Sequence, residues 1–121
     1  MLPPPNYAKR GRDNRLRSPA HLAFVRKRLC IAWEHGNCYG RIEAAHCRDI
    51  APNGHGGGKP DDCWVISVCT KHHRESEKRE RAWGAEYSID VAAACIEYAA
   101  ASPDRAVRAK VPEMKAHVEK S

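Results

Sequence analysis

Apolar residues recur at helical spacing in two parts of the chain. Leu22, Val25 and Leu29 follow Ser18-Pro19, an N-cap and a proline at the first helical position, and together they predict a helix over residues 19–29. Ser88 precedes a second apolar stripe, which predicts a helix to about residue 101 that Pro103 ends. The stripe consists of Ile89, Ala92, Ala93, Ile96, Ala99 and Ala100.

Between these helices the pattern changes to short runs that are typical of strands. Residues 42–46 predict one strand, and residues 64–68, rich in β-formers, predict another. Residues 30–40 and 49–62 are irregular, and the second of these segments carries four glycines and two prolines. Residues 70–83 are strong helix formers that end at Gly84, which predicts a helix with a C′ glycine. A short basic helix and a charged tail follow Pro103.

Two pairs of cysteine and histidine residues lie on separate predicted turns. Cys69 and His72 are three residues apart at a strand-to-helix turn, and Cys30 and Cys38 supply two more soft ligands. Tetrahedral zinc takes four such ligands, so the sequence predicts a structural zinc site. The alternative is that these are ordinary buried thiols and that His72 caps a helix.

Composition favours a metal-supported domain. The chain has 121 residues, one phenylalanine, 30% charged residues and a mean hydropathy of -0.68, which predicts one domain with a thin core. Six cysteines could form disulfides in a secreted protein, but residues 1–10 lack the apolar run of a signal peptide. We therefore expect a cytoplasmic protein with reduced thiols, no membrane span, free thiols at Cys47 and Cys63, and Cys95 on the apolar face of the helix after Ser88.

Positive charge is concentrated at the N-terminus. Residues 1–28 carry eight cations and one anion, a net charge of +7, whereas the remainder carries 13 cations and 14 anions. Such a surface binds nucleic-acid phosphates, although a solubility tail would have the same composition. The predicted DNA-binding residues are Lys9, Arg10, Arg12, Arg15, Arg17, Arg26, Lys27 and Arg28.

The strand, loop, strand and helix over residues 42–83 could also carry chemistry. His46 ends the first strand, while His73 and Glu77 share one face of the following helix. An imidazole and a carboxylate can hold Mg²⁺ or Mn²⁺, and a neutral histidine opposite could take a proton from water. The competing interpretation of Glu77 is that residues 75–81 form an exposed face with alternating charges.

These residues resemble a known family. Glu43-Ala44-Ala45-His46, residues 57–62, Trp64 and Cys69-x-x-His72-His73-Arg74-Glu75 are similar to the HNH (His-Me finger) endonucleases, especially a small phage and prophage branch similar to the recombination enhancement function nuclease. The resemblance covers residues 18–93. It implies a ββα-metal fold with His46 as general base, His73 as a ligand of the catalytic ion, and Asp62 orienting the base. It also implies that Cys69 and His72 join the upstream cysteines on a separate zinc.

Two positions depart from that family's pattern. Ala45 stands where many relatives have a histidine ligand, and Glu77 stands where relatives often have a histidine. Glu77 could still ligate Mg²⁺. His55, in the glycine-rich loop, could supply another ligand, although a solvent-exposed loop histidine is the alternative.

Taken together, these patterns predict an α+β fold: a zinc-stapled ββα-metal (HNH) core with flanking helices. The predicted divisions are a flexible basic arm over 1–17, an endonuclease domain over 18–103 and a charged C-terminal helix or tail over 104–121. The predicted activity is divalent-metal-dependent hydrolysis of DNA phosphodiester bonds in the cytoplasm of a bacterial host, encoded by a phage or prophage. The alternatives are a zinc-stabilised module that binds DNA without cutting it, and a purely structural zinc protein.

Overall fold

A computed structural model describes residues 15–52 and 59–120 as a mixed α/β domain. Its helices are α1 (Pro19–Arg26), α2 (Thr70–Ser76), α3 (Glu80–Glu86), α4 (Val91–Ala100), α5 (Arg105–Arg108) and α6 (Val111–Lys120). The strands are β1 (Ile42–His46) and β2 (Val65–Cys69), and a 3-10 turn spans Trp33–His35. The described helices include none that is long and apolar enough to cross a membrane.

The two strands form one antiparallel pair at the centre of the domain. Ile42 lies opposite Cys69 and His46 lies opposite Val65, so β1 has the predicted bounds and β2 is shifted by one residue. Every residue of β2 is buried, because α1 and α2 contact both strands and α4 contacts β2. Strand β1 is only partly buried, so ligands can reach the hairpin at its two ends and along β1.

Helix α1 is shorter than the periodicity predicts. It ends at Arg26 with Lys27 as its C-cap, and Leu29 is left exposed. The backbone N–H of Ile31 donates to the Ser67 carbonyl at 2.8 Å, which ties the following segment to β2. A helix continued to residue 29 would prevent this bond, so tertiary pairing ends the helix early.

The predicted helix over residues 70–83 is two helices. Lys78 has φ +66°, a left-handed conformation that no α-helix accommodates, and it separates α2 from α3. Gly84 therefore does not end a helix but lies inside α3. A Cβ at Gly84 would lie 2.6 Å from the Ile89 carbonyl oxygen, so glycine is required there for close packing.

The C-terminal part is more regular than a charged tail. Helix α4 begins after Asp90, whose side chain accepts from the Ala93 N–H, instead of after Ser88, which has φ +59°. Helices α5 and α6 bury Val107 and Met114 in the core. The segment after residue 104 thus contributes to the same core as the hairpin.

Residues 15–18 are bound to residues 60–62 by hydrogen bonds. Leu16 N donates to Asp61 Oδ1 at 2.8 Å, and Asp62 N donates to the Leu16 carbonyl at 2.9 Å. The arm boundary predicted at residue 17 is therefore too late, since Arg15 and Leu16 already belong to the folded domain. Lys9, Arg10, Arg12 and His55 lie outside the described residues.

Candidate functional site

Four side chains converge at the end of the hairpin where β1 begins and β2 ends. The ligand atoms of Cys30, Cys38, Cys69 and His72 all lie within 4.8 Å of one another. His72 Nδ1 lies 3.4, 3.8 and 3.2 Å from the sulfurs of Cys30, Cys38 and Cys69. In a tetrahedral zinc site the S···N separation is about 3.5 Å, given the usual bond lengths. The predicted quartet is thus assembled, and it could hold a metal ion.

Local structure explains how the loop carrying Cys38 reaches the quartet. Tyr39 accepts the Lys71 N–H at 3.1 Å, which fastens the loop to the first turn of α2. Gly40 has φ +86°, and a Cβ there would collide with the Thr70 side chain. The loop can therefore pass this close to α2 only with glycine at position 40.

The electrostatics of the quartet favour a cation between the thiols. Desolvation and the neighbouring thiols of Cys30 and Cys69 raise the pKa of Cys38 to about 12. Burial opposes ionisation of Cys69, but N–H groups of His72 and Tyr39 and hydrogen bonds from the other two thiols lower its pKa overall. Neighbouring thiolates repel, so they can all be ionised only with a positive charge among them.

A second polar group lies at the opposite end of the hairpin. His46 Nε2 lies 2.8 Å from Asp62 Oδ1, and Arg15 Nη1 lies 3.0 Å from the same oxygen. Asp62 Oδ2 accepts the Ser18 N–H at 2.8 Å, so both carboxylate oxygens are engaged. His46 and Asp62, which the sequence predicts as base and orienting residue, are therefore brought together.

Burial and hydrogen bonding fix the state of this pair. Burial opposes ionisation of Asp62, but bonds from Ser18 and His46 lower its pKa overall. Burial lowers the pKa of His46, and the hydrogen bond to Asp62 only partly offsets this. At neutral pH the imidazole is neutral and Asp62 is ionised, so Nε2 carries the proton and Nδ1 has a lone pair. Among the described residues, nothing donates a hydrogen bond to that Nδ1.

His73 has a different partner from the one that helical spacing predicts. Its Nδ1 lies 2.6 Å from Glu43 Oε1 on β1, and Thr70 donates to the other oxygen of Glu43 at 3.0 Å. Glu77 is the C-cap of α2 and turns away from the helix, with ψ 125°. Ligation by Glu77 remains a prediction, whereas the carboxylate beside His73 in the structure is that of Glu43.

The structure does not bring His46 and His73 into one pair. Side chains alternate along a strand, so Glu43 and His46 project from opposite faces of β1 and are about 10 Å apart along it. Ala45, which shares a face with Glu43, is buried. The described residues thus contain one quartet able to hold a metal ion and two separate polar pairs, His46–Asp62 and His73–Glu43.

Comparison with known proteins identifies the family. A family model described as a protein of unknown function, DUF968, matches residues 2–102. The chain belongs to the DUF968 family. No curated protein and no solved structure matches the chain. The DUF968 match includes the quartet, both polar pairs and α1 to α4, and it ends before α5.

Two residues of the site escaped sequence reasoning. The sequence patterns give Glu43 no role beyond its place in a motif, although a carboxylate on the strand that ends at the predicted base is a signal for one. Its proximity to His73 depends on the pairing of Glu43 with Val68, which only the folded hairpin shows. Arg15 was assigned to the arm as a phosphate-binding residue, whereas the structure pairs it with Asp62.

The cations predicted on the first helix lie at its C-terminal end and are exposed. Arg26, Lys27 and Arg28 are all exposed, and the Arg28 guanidinium lies 4.5 Å above the Phe24 ring. Arg17 is also exposed. The exposure of Arg26, Lys27 and Arg28 is compatible with the predicted cationic surface.

Proposed function

We propose that this protein is a divalent-metal-dependent endonuclease of the HNH type that hydrolyses DNA phosphodiester bonds. The observation that carries the proposal is the 2.8 Å bond between His46 Nε2 and Asp62 Oδ1. A histidine held at one nitrogen by an ionised carboxylate has a defined tautomer and a free basic nitrogen. Only 16% of the His46 side chain is exposed, so its contact with bulk water is limited.

His46, Asp62 and Arg15 have different roles in the hydrolytic step. His46 Nδ1 takes a proton from the attacking water, and Asp62 stabilises the imidazolium that forms. Arg15 holds Asp62 in place and keeps it ionised through its guanidinium 3.0 Å away. Proton transfer to a base of this kind accelerates a reaction by about 10²–10⁴-fold.

His73 and Glu43 are the groups we assign to the catalytic cation. The 2.6 Å contact is a hydrogen bond, so the imidazole and the carboxylate would have to separate slightly to take Mg²⁺ or Mn²⁺ together, and both side chains are about one third exposed. A bound divalent ion would supply charge stabilisation to a phosphate oxygen. Glu77 remains the alternative carboxylate.

We assign zinc to the quartet, in a structural role. Three thiols and one imidazole complete a tetrahedral shell and leave no position for water, which is the usual form of a structural zinc site. Cys30, Cys69 and His72 are buried, so solvent reaches the quartet only beside Cys38. Zinc at this end would hold β2, α2 and the loop after α1 together without taking part in the reaction.

A cleavage assay tests the proposal. Zinc-loaded protein is incubated with supercoiled plasmid, with and without Mg²⁺ or Mn²⁺, beside His46→Ala. We expect nicking or linearisation that needs the divalent ion and is lost in His46→Ala. Cleavage by neither protein in any divalent ion would refute the proposed activity.

A second function is favoured by one observation. His46 and the His73–Glu43 pair project from opposite faces of β1, which is compatible with a domain that binds DNA without cutting it. This alternative predicts salt-dependent DNA binding with no divalent-dependent cleavage. A structural zinc protein would show neither, so gel-shift titrations beside the plasmid assay separate the three functions.

A further inference from the structure

Large side chains are left in water beside the metal quartet. Trp33 is 56% exposed, Tyr39 is 76% exposed and Leu29 is 63% exposed, in a domain with little apolar material to bury. Two of the three are aromatic rings with no ring contact to a described residue. A small domain that exposes rings in this way leaves them available for a ligand.

The quartet holds the backbone of both aromatic residues in place. Trp33 N donates to the Cys30 carbonyl at 2.9 Å, which starts the 3-10 turn directly after that ligand. Tyr39 follows Cys38, and its N–H donates to the Cys69 sulfur at 3.4 Å. Because Cys30 and Cys38 meet in one quartet, the backbones of Trp33 and Tyr39 are fixed beside the same cluster of ligands. Their exposure is therefore a property of the fold.

The segment of chain that carries the rings is positively charged. Residues 26–41 carry four cations, Arg26, Lys27, Arg28 and Arg41, and one anion, Glu34, a net charge of +3. All five of these side chains are exposed. The core of a protein-protein interface is depleted in charged residues, whereas single-stranded DNA is bound by aromatic rings set among cations.

We propose that single-stranded DNA binds to this surface, the zinc-loop face, defined by Arg28, Trp33, Tyr39 and Arg41. Unpaired bases stack on the indole and phenol rings, and the cations contact the phosphates between them. A base-paired duplex keeps its bases stacked internally, so it can use the cations but not the rings. The inference rests on the proposed function in taking DNA as the substrate, and it adds that the substrate has a single-stranded part.

Tryptophan fluorescence tests this directly. Of the three tryptophans, Trp64 and Trp83 are buried, so quenching by a stacked base reports on Trp33. Oligothymidylate is titrated into zinc-loaded full-length protein without Mg²⁺ or Mn²⁺, so that no cleavage occurs. We expect saturable quenching, and affinity about 5- to 150-fold weaker in Trp33→Ala, the range for loss of one stacking ring.

Matched variants separate stacking from other causes, with binding followed by anisotropy of labelled DNA. Trp33→Phe and Tyr39→Phe keep a ring and should retain most of the affinity, whereas Tyr39→Ala should lose it. Leu29→Ala removes an equally exposed apolar side chain and should leave affinity unchanged. A duplex of the same length should bind Trp33→Ala and wild type equally.

Three results would overturn the inference. These are an unchanged affinity of Trp33→Ala for oligothymidylate, an equal loss with duplex and single strand, and self-association of the protein that Trp33→Ala abolishes. The outcome is independent of catalysis. Trp33-dependent binding without plasmid cleavage would refute the nuclease activity and support single-strand binding at the zinc-loop face. Plasmid cleavage with no effect of Trp33→Ala on binding would support the nuclease activity and refute binding at that face.

Discussion

The two ends of the β1–β2 hairpin carry similar residue types in different arrangements. At one end, Cys69 and His72 join two upstream cysteines in a shell of four donors. At the other end, about four residues or 13 Å along the strands, His46 is held by Asp62 through one nitrogen only. The first arrangement is complete and the second leaves a basic nitrogen free.

The difference lies in how many donor positions the protein itself fills. A metal with four protein ligands cannot bind substrate, so its contribution is to stability. A histidine with one fixed nitrogen can exchange a proton at the other, so the contribution we propose for it is to chemistry. The hairpin thus separates a site suited to stabilising the fold from a site suited to reaction, and the two can be tested independently.

Removing a quartet ligand should have the largest effect, and it should act on the fold. Structural zinc contributes roughly 10–16 kcal/mol in small zinc peptides, which is comparable with the whole stability of a domain, about 5–15 kcal/mol. We expect Cys69→Ser to aggregate or to melt far below the wild type, measured by circular dichroism. Elemental analysis should give about one zinc per chain in the wild type and much less in the variant.

Cys63→Ser is the matched control for Cys69→Ser. Cys63 is equally buried but lies outside the quartet. The Cys63→Ser variant should keep its zinc even if the packing of the core around position 63 is weakened. A metal-free wild type that stays folded would show that the fold does not need a metal at the quartet.

His46→Ala should act on the reaction and not on the fold. We expect cleavage to fall by about 10²–10⁴-fold, since a general base is lost, with zinc content, melting temperature and DNA affinity retained. His35→Ala, an exposed histidine in the 3-10 turn, is the control and should cleave normally. Unchanged cleavage in His46→Ala would move the base elsewhere, with His55 the next candidate.

Asp62→Asn should alter the pH dependence of cleavage. Activity should fall on acidification as His46 is protonated, and its lowered pKa places this limb below the ordinary value near 6.5. Because Asp62 raises the pKa of His46, its replacement should move the limb to still lower pH while reducing the maximal rate. If the acidic limb of the pH–rate profile does not move in Asp62→Asn, a group other than His46 controls it. The measurement is rate against pH at saturating metal.

Glu43→Gln and Glu77→Gln distinguish the two candidate carboxylates. Loss of a ligand should raise the Mg²⁺ or Mn²⁺ concentration for half-maximal cleavage by roughly tenfold or more, as in other weakened metal sites. The 2.6 Å separation from His73 predicts this shift for Glu43→Gln. If only Glu77→Gln raises the metal concentration for half-maximal cleavage, Glu77 is the ligand, as the helical spacing predicts. The His73–Glu43 contact would then be an ion pair without a metal.

Deleting residues 1–14 should give the smallest effect. The deletion removes Lys9, Arg10 and Arg12 but keeps Arg15, which the His46 site needs. Each lost phosphate contact lowers the salt slope of log affinity by roughly 0.9, so the slope for duplex DNA should fall by at most about 2.7. Cleavage of the bound fraction should persist. Equal slopes would make these residues a solubility tail.

Several features of the fold and site were predictable because they depend on local chemistry. The bounds of β1 and the N-cap of α1 at Ser18 follow from neighbours within a few positions, and the four quartet residues follow from the spacing within each of two Cys/His pairs. The end of α1, the break at Lys78 and the start of α4 were not predicted. Helix α1 ends early because the Ile31 N–H bonds to the Ser67 carbonyl. Helix propensity depends on nearby residues, so it cannot predict a bond to a residue so distant in sequence.

The sequence by itself determined which residues can bind metal, take a proton or neutralise phosphates, because those properties belong to side chains and their spacing. Only the tertiary structure decided which of them meet. The register of two strands placed Glu43 beside His73, and hydrogen bonds from residues 15–18 fixed Asp62 against His46. These contacts join residues about 16 to 47 positions apart. Such pairings come from long-range packing, which no short pattern encodes.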